Sequence, residues 1–585
     1  MKKFNLVLTN RIDKVKNDEP LVGVTNKIPT YKLKNTYEKI IFPKLKRNEI
    51  LENYIFCNKI SKNLLLRLTP KLNYLHNENL ENSDWDIIIG HWIRDYAEIM
   101  FKIFSQLNFI FKEHDILDVY TLKDKNYDFT SKDTISFRTP IYYDDQWYFL
   151  ICAKMIKYFK LSNKVEFSHE NLNAPNDNYV IKKSILGRTK AIGIYNYIFN
   201  CLKLLFNFNN YSVITKTYLP RYYEKLLEIK NNQIPVFYTY DKINNNTKNE
   251  NLRKRLKLNK IENNNEFENF LTENINEFLP MHCVENYREI KKIALGKKYP
   301  KNPKFIFTSQ SFAYDEIFKT YVALNKRNKI PFYIGQHGNK YFTRIKNNFR
   351  PETNIADKFI SWGAVKNDYM KTKIEQGFNF KTMGNKFEKK NSTKMIIYFP
   401  WVYTNINSLH TMENESYILM SRIKNIIEKL DEKIKKNLLL RFNKSFFKNF
   451  FGVKYFNMFK DLNLDYDDGN TPINQLYKKS KLNFFVLEST GVLESFHYNI
   501  PTIIFNEKNF LENINLSYVD KYEELLNNNI LFTEEEDVIN HINNNWDNTL
   551  NWWNTKQQVV NNFNKNLNNY SGKEGIDKIN KILNN

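Results

Sequence analysis

Apolar positions change their period along this chain. Between Leu51 and Phe111 they recur every three or four residues, in "NLLLRLTPKLNYLH" and "DWDIIIGHWIRDYAEIMFKIFSQLNFIF". That spacing predicts long amphipathic helices. Asn82-Ser83, just before the second segment, supplies residue types that cap helices. "YDDQWYFLICAKMIKYF" (Tyr143 to Phe159) predicts another helix with an acidic start. The opening "MKKFNLVLTN" reads as a strand, its apolar stretch being too short for the core of a signal peptide. Residues 236–300 are the least globular part. Within them, "DKINNNTKNENLRKRLKLNKIENNN" is polar and asparagine-rich, an exposed excursion. Its cluster Arg253, Lys254, Arg255 and Lys257 reads as solvated surface, or as a patch approaching a membrane.

From Pro303 onward, short apolar runs alternate with amphipathic helices. "KFIFTS" (Lys304–Ser309) is a strand, "YDEIFKTYVALNKRN" a helix, and "IPFYIGQHG" a second strand ending in glycine. After Trp362-Gly363 the pattern resumes with the runs "MIIYFP" (395–400), "LLLRF" (438–442), "NFFVLE" (483–488), "PTIIF" (501–505) and "ILF" (530–532). Helices such as "SRIKNIIEKLDEKIKK" and "TGVLESFHYN" lie between them. This alternation predicts parallel sheets covered on both faces. With 585 residues, two large α/β domains are expected, joined near residues 350–390. Open parallel sheets bind ligands beyond the carboxyl ends of their strands. Two such sheets facing one another make a cleft.

Composition narrows the function classes. The formal net charge is +24, which suits an acidic partner such as an anionic membrane face or a phosphorylated substrate. It also fits a lysine bias spread over solvated faces, the reading preferred here. Nucleic acid is not expected as a partner, because no aromatic–basic recognition motif is present. Cys57, Cys152, Cys201 and Cys283 lie far apart, so neither a disulfide framework nor a zinc site is expected, which suits a reducing compartment. No run approaches the roughly 18 apolar residues of a membrane span. That leaves a cytoplasmic protein with peripheral contact at the inner face of the membrane. GxxxxGK[ST], HExxH and a post-strand GxGxxG are all missing.

Three strings carry candidate chemistry. Glu488-Ser489-Thr490-Gly491-x-x-Glu494 sits where a strand gives way to a helix. The free amides and partial positive charge of a helix start suit a phosphate. Ser489 and Thr490 add hydroxyls, and Gly491 permits close approach. Glu494, one turn along, could hold two hydroxyls, as a ribose presents. The same string is equally a Ser/Thr cap with an ordinary acid, and both readings stand. In "GQHGNKY", His337 is flanked by Gln336 and Gly338 at a strand's carboxyl end, placed to act as general base or phosphate partner. After the preceding strand come Ser309 and Gln310, with Asp315 and Glu316 as candidate catalytic carboxylates or helix-start acids. Lys319 and Arg441 are candidate phosphate partners. Asp465-Tyr466-Asp467 has the form of a metal-binding pair but sits among turn residues, and no metal is expected.

The ordered set "LNYLHNENLENSDWDIIIGHWI", "PKNPKFIFTSQSFAYDEIFKTYVA", "IGQHGNKY", "DKFISWG", "STGVLESFHYNIPTIIF" and "NNWDNTLNWWNTKQQVVNNF" resembles a bacterial family of transferases encoded with surface-polysaccharide and lipopolysaccharide genes. The resemblance runs through most of the chain. It implies an α/β, GT-B-like fold with two Rossmann-type domains facing across a cleft and helical insertions in the N-terminal half. The implied boundaries are 1–355 for an acceptor-side domain, 356–545 for a nucleotide-donor domain, and 546–585 for a C-terminal helix packing back on the first. The Gln-His-Gly string is similar to that of wall-polymer glycerophosphotransferases and capsule sugar transferases, which implies a base or phosphate role for His337. The Ser-Thr-Gly-x-x-Glu string is similar to the nucleotide site of GT-B enzymes, which implies phosphate on Ser489, Thr490 and Gly491 and ribose on Glu494. The implied activity is sugar transfer, without metal or other cofactor, from a nucleotide sugar (a CMP-activated nonulosonic acid or Kdo-type donor) to a lipid-linked or other surface-glycan acceptor. A polyol-phosphate transferase and a non-catalytic assembly protein are the alternatives. Asn339-Lys340-Tyr341-Phe342, Ala364 and Asn506 depart from the family's usual residues, so donor or acceptor choice is expected to differ.

Overall fold

The computed structural model describes residues 3–8, 21–23, 37–38, 42–123, 127–143, 145–162, 165–169, 211–235, 243, 247–262, 265–296, 299–384, 387, 392–400, 413–447 and 450–585. Three parallel sheets organise them. The first joins β1 (Lys3–Leu8), β2 (Leu21–Gly23), β3 (Tyr37–Glu38), β4 (Asp115–Lys123) and β5 (Val165–His169) in the order β3-β2-β1-β4-β5. The second runs β10-β9-β8-β7-β6, from β6 (Val213–Thr215), β7 (Ile306–Thr308), β8 (Phe332–Gly335), β9 (Lys358–Ser361) and β10 (Lys373–Gln376). The third is built from β11 (Lys394–Tyr398), β12 (Leu438–Arg441), β13 (Asp465–Asp467), β14 (Ser480–Val486), β15 (Thr502–Phe505) and β16 (Leu531–Phe532). Its order, β13-β12-β11-β14-β15-β16, is the doubly wound Rossmann arrangement 3-2-1-4-5-6.

The apolar runs are continuous because both faces of each strand are buried. In β11, Met395 and Ile397 enter one core, while Ile396 and Tyr398 enter the other. In β7 and β8, Phe307 and Tyr333 face one way, and Ile306, Phe332 and Ile334 the other. The larger core takes residues from all three sheets, including Leu6, Ile334 and Phe485. The second and third sheets face each other at their carboxyl edges, the GT-B arrangement. The first sheet is an addition that the hydrophobic pattern reduced to the single strand β1. Polar residues interrupt β4 ("DILDVYTLK"), and β2 and β3 are too short to register.

The helices Arg47–His76 and Asn82–Glu113 form the inserted layer. The cap of the second lies one residue earlier than Asn82-Ser83 suggests. Asn82 is already helical, and the Glu81 amide donates to Asp84 Oδ2 at 2.9 Å. Arg253, expected on a solvated or membrane-facing cluster, is buried. It pairs with Glu285 at 2.7 Å and donates to the Leu279 carbonyl at 2.7 Å. No helix among the described residues is long and apolar enough to cross a membrane. Cys57, Cys152 and Cys283 are buried, and Cys201 lies outside the described residues.

After the third sheet the chain returns to the second. The final helix, Gly575–Asn584, places Ile576, Ile579 and Leu583 against Phe305, Phe307, Ile360 and Phe378. On the way the Asn569 amide donates to the Trp362 carbonyl at 2.7 Å. Gly363 is required there, since a Cβ on it would lie 2.2 Å from the Asn566 carbonyl oxygen. Ile579 is fully buried. Ile579→Ala is expected to cost about 2–5 kcal/mol, read as a lowered urea midpoint for unfolding.

Candidate active site

Two strand ends make the site. β8 stops at Gly335, where a Cβ would come within 2.5 Å of Phe380 Cε2 and Ser309 Oγ. The next residue, Gln336, braces the following loop. It donates from Nε2 to the Gly338 carbonyl and accepts the Trp362 amide at Oε1, each at 2.8 Å. β14 ends at Val486. Leu487 then takes a left-handed φ of 67°, costly for a branched residue, and turns the chain into Glu488 and the helix Thr490–His497. The two ends touch. The Asn339 amide lies 3.4 Å from Thr490 Oγ1, and a Cβ on Gly338 would lie 3.6 Å from the same oxygen. Ser489 occupies the cap position, yet its side chain makes no capping hydrogen bond.

His337 is half-buried among Tyr218, Phe312 and Tyr341, with ring centroids at 5.9, 5.9 and 5.1 Å. Its Nδ1 lies 2.7 Å from Tyr341 Oη, which lies 3.1 Å from Glu352 Oε1. On the other oxygen of Glu352, His91 Nε2 stands 3.2 Å away. Burial pushes the His337 ring down to about 4; Glu352 pulls it up, Arg350 and His91 push it down, and the Ser309 carbonyl favours the charged ring slightly. Burial works to raise the Glu352 carboxyl. His91 and Arg350 outweigh it and hold the group well below the usual carboxylate range.

Ion pairs bridge the halves around this point. Arg344 NH2 reaches Glu488 Oε2 at 3.0 Å, and Tyr522 Oη donates to the other oxygen of Glu488. Lys381, beyond β10, pairs with Glu494, which also accepts from Tyr477 Oη at 3.3 Å. Between Gln336, Lys340, Glu488 and Leu493 remains a cavity of about 10 Å³, room for about one water. Lys340 is half-buried, with a left-handed φ of 75°. Burial and then Arg344 push its ammonium down to about 8, and no carboxylate among the described residues lies within ion-pair distance of it.

Several sequence candidates are spent elsewhere. Asp315 caps the helix Glu316–Lys326, accepting the Phe318 amide at 3.1 Å. Glu316, expected as a catalytic carboxylate, is buried between His282 and Lys319 and accepts the Thr134 amide. Burial works against its charge, but His282 and Lys319 hold it down to about 2. That pairing also neutralises Lys319, which is 1% exposed and so out of reach of a phosphate. Arg441 pairs with Asp467 on the neighbouring strand and donates to the Thr471 carbonyl at 3.0 Å. Asp465 pairs with Lys394 at 3.1 Å. Ser309 donates to the Thr217 carbonyl at 2.9 Å, and the Gln310 amide donates to Thr308 Oγ1 at 3.3 Å. The sequence reading missed His91, Tyr341, Glu352, Lys340 and Lys381. "GHWI" and "NKYF" were in view, but only the fold brings them beside His337.

Comparison with known proteins is decided by one match. The model of the LIC12162 family transferases matches residues 4–581. The chain belongs to that transferase family. No curated protein sequence matches it. Among solved structures, it is similar to the wall teichoic acid polymerase TagF at 12% identity, covering 64% of this chain and 87% of that one with a TM-score of 0.34. Acinetobacter baumannii MurG is 9% identical over 64% and 98%, with a TM-score of 0.31. S. aureus MnaA with UDP is 12% identical over 50% and 77%, with a TM-score of 0.30.

Burial likewise pushes His497 and His541 down to about 4 from an ordinary value of 6.5. As pH falls through this window the unfolded chain binds protons at His337, His497 and His541 that the native rings refuse. The contribution of these rings to stability is therefore complete above pH 6.5 and lost as pH falls toward 4. The melting temperature is expected to drop across that range. In His541→Gln the dependence should be shallower.

Proposed function

We propose that this transferase moves a sugar from a nucleotide-activated donor to a surface-glycan acceptor. The observation that carries the reading is the meeting of the two strand ends, with the Asn339 amide at Thr490 Oγ1. One end offers a phosphate cradle and the other a base, within one side chain's reach. The donor phosphate would take the Ser489 hydroxyl, which no cap occupies, Thr490, and the first amides of the helix. The Lys340 ammonium, lacking a carboxylate partner, would neutralise it. The ribose would take Glu494 in exchange for Lys381. The small remaining cavity means that a nucleotide enters only when the two sheets part.

In the transfer, the acceptor hydroxyl gives its proton to His337. Its oxygen forms the new bond to the anomeric carbon as the bond to the donor phosphate oxygen breaks, and that oxygen leaves with the electron pair. The helix amides and Lys340 stabilise the departing charge, a task some enzymes assign to a metal. A CMP-activated acidic sugar is the proposed donor and a lipid-linked glycan the proposed acceptor. With such an acceptor, the proposed working location is the inner face of the cytoplasmic membrane.

A thermal-shift screen of CMP, UDP, GDP, CDP and their sugars should show a rise with one nucleotide class. Lys340→Ala should weaken that nucleotide at least about tenfold, the worth of one charge-assisted hydrogen bond. Unchanged affinity in both Lys340→Ala and Thr490→Ala would sink the donor site. His337→Ala should retain nucleotide binding and lose turnover by about 10²–10⁴-fold. Product mass separates a transferred sugar from a transferred phosphodiester.

A further inference from the structure

We propose that the Tyr398 hydroxyl binds a ribose hydroxyl of the donor nucleotide beside Glu494, which makes Tyr398 a specificity-determining residue for ribonucleotides. The proposal rests on the reading of Glu494 as the ribose-binding group. Tyr398 is the last residue of β11. In the third sheet, β11 and β14 are the neighbouring strands at which the strand order reverses. A doubly wound sheet takes its ligand in the crevice beyond that point. Tyr398 is the register partner of Phe485 on β14, and their rings stack at 4.6 Å with 13° between the planes. The Tyr398 side chain is 6% exposed, and its hydroxyl oxygen is buried without a hydrogen-bond partner. A buried tyrosine hydroxyl is ordinarily bonded. Keeping one unbonded costs stability, so at a ligand crevice it gains from a ligand that bonds it.

The surroundings select the ligand group. The helix Thr490–His497 packs directly on this floor: a Cβ on Gly491 would lie 2.7 Å from Phe485 Cε1 and 3.2 Å from Tyr477 Oη. The Tyr477 ring lies 6.0 Å from that of Tyr398. Its hydroxyl is already engaged, 3.3 Å from the Gly491 carbonyl and 3.3 Å from Glu494 Oε2, with Ser495 also in reach. Lys381 takes the other oxygen of Glu494. The charged groups acting on the Tyr398 hydroxyl are Arg441 from β12 and Glu494, and burial pushes it well above its ordinary value. It therefore stays protonated, able both to donate and to accept. Arg441 remains with Asp467 and the Thr471 carbonyl. The Glu494 carboxylate repels a phosphate from this spot, and Phe485 takes a stacking face of Tyr398 that a base would need. A ribose diol suits both groups: Glu494 accepts its protons, and Tyr398 donates to one of its oxygens. A site with a buried group made for a ligand hydroxyl rejects the analogue that lacks it, because that group is then left unpaired.

The test compares the full wild-type chain with Tyr398→Phe, which removes one oxygen and keeps the ring. Without ligand, the variant is expected to melt at a higher temperature, since an unbonded buried hydroxyl is gone. A lower melting temperature would mean that the free protein already satisfies the group, and would overturn the proposal. Calorimetric titration then uses CMP, UDP, GDP and CDP, and the 2′-deoxy and 3′-deoxy forms of whichever binds. Tyr398→Phe should bind the ribonucleotide about tenfold more weakly. That penalty should vanish for one of the two deoxy forms, the one lacking the oxygen that Tyr398 holds. An equal penalty on all three would put the hydroxyl on the base or a phosphate, and no penalty would deny it a ligand; either result overturns the proposal. If wild type binds none of the four nucleotides, the donor site falls and the role of Tyr398 with it. A ribonucleotide bound equally by both proteins removes the role of Tyr398 alone.

Discussion

A carboxylate with no solvent contact must be paired or it will not stay charged. Glu352 meets that condition with His91 on one oxygen and Tyr341 and Arg350 on the other. The requirement ties together three pieces of chain far apart in sequence: an inserted helix, the loop after β8 and the short helix Glu352–Ile355. Remove the charge and the Tyr341 hydroxyl loses its carboxylate acceptor. The carboxyl end of β8 is ordered by this electrostatic condition, set within an apolar frame of Phe312, Phe359 and Tyr218.

A second buried carboxylate does the same work between the sheets. Glu488 follows the strained Leu487 and is satisfied by Arg344 from the opposite half and Tyr522 from its own. Around it, Asn515 donates to the Phe342 carbonyl at 2.7 Å, and the Arg47 side chain donates to the Ile514 and Leu511 carbonyls at 3.1 and 2.9 Å. The Asn515 bond holds the loop after β8 against the segment after β15, and the Arg47 bonds hold the inserted helix Arg47–His76 against the same segment. The contact between Gly338 and Thr490 follows from that docking. A site divided between two sheets is brought into register by groups that take no part in the chemistry.

Charge is distributed unevenly among the candidates. Glu316, Lys319 and Asp315 are buried, Arg441 is half-buried, and all four are neutralised by one another or by their immediate neighbours. Lys340 and the Ser489 hydroxyl have no such obligations. A group already satisfied within the protein must break that arrangement to serve a ligand, whereas an unsatisfied one gains from it. This is the physical ground for proposing a phosphate site at the helix start and the Lys340 loop and away from β12.

Much of the architecture was legible in the chain. β7, β8, β11, β12, β14, β15 and β16 stand on the apolar runs that predicted them, because strands buried on both faces leave an unmistakable mark. The long inserted helices are equally plain from their three- and four-residue spacing. Local pattern also located "GQHG" and "ESTG", since a strand end followed by glycine and hydroxyls depends on neighbours in sequence. It could not give the first sheet, whose short and polar-interrupted strands resemble loop. Nor could it separate a working charge from a structural one: Glu316 and Glu352 look alike in sequence, and burial plus partners from distant segments distinguishes them. The sequence by itself determined that two parallel strand ends would carry hydroxyls, glycines and a histidine. Only the tertiary structure decided that they meet, and that His91, Tyr341 and Glu352 gather beside the histidine, because those contacts bridge segments whose separation no local periodicity records.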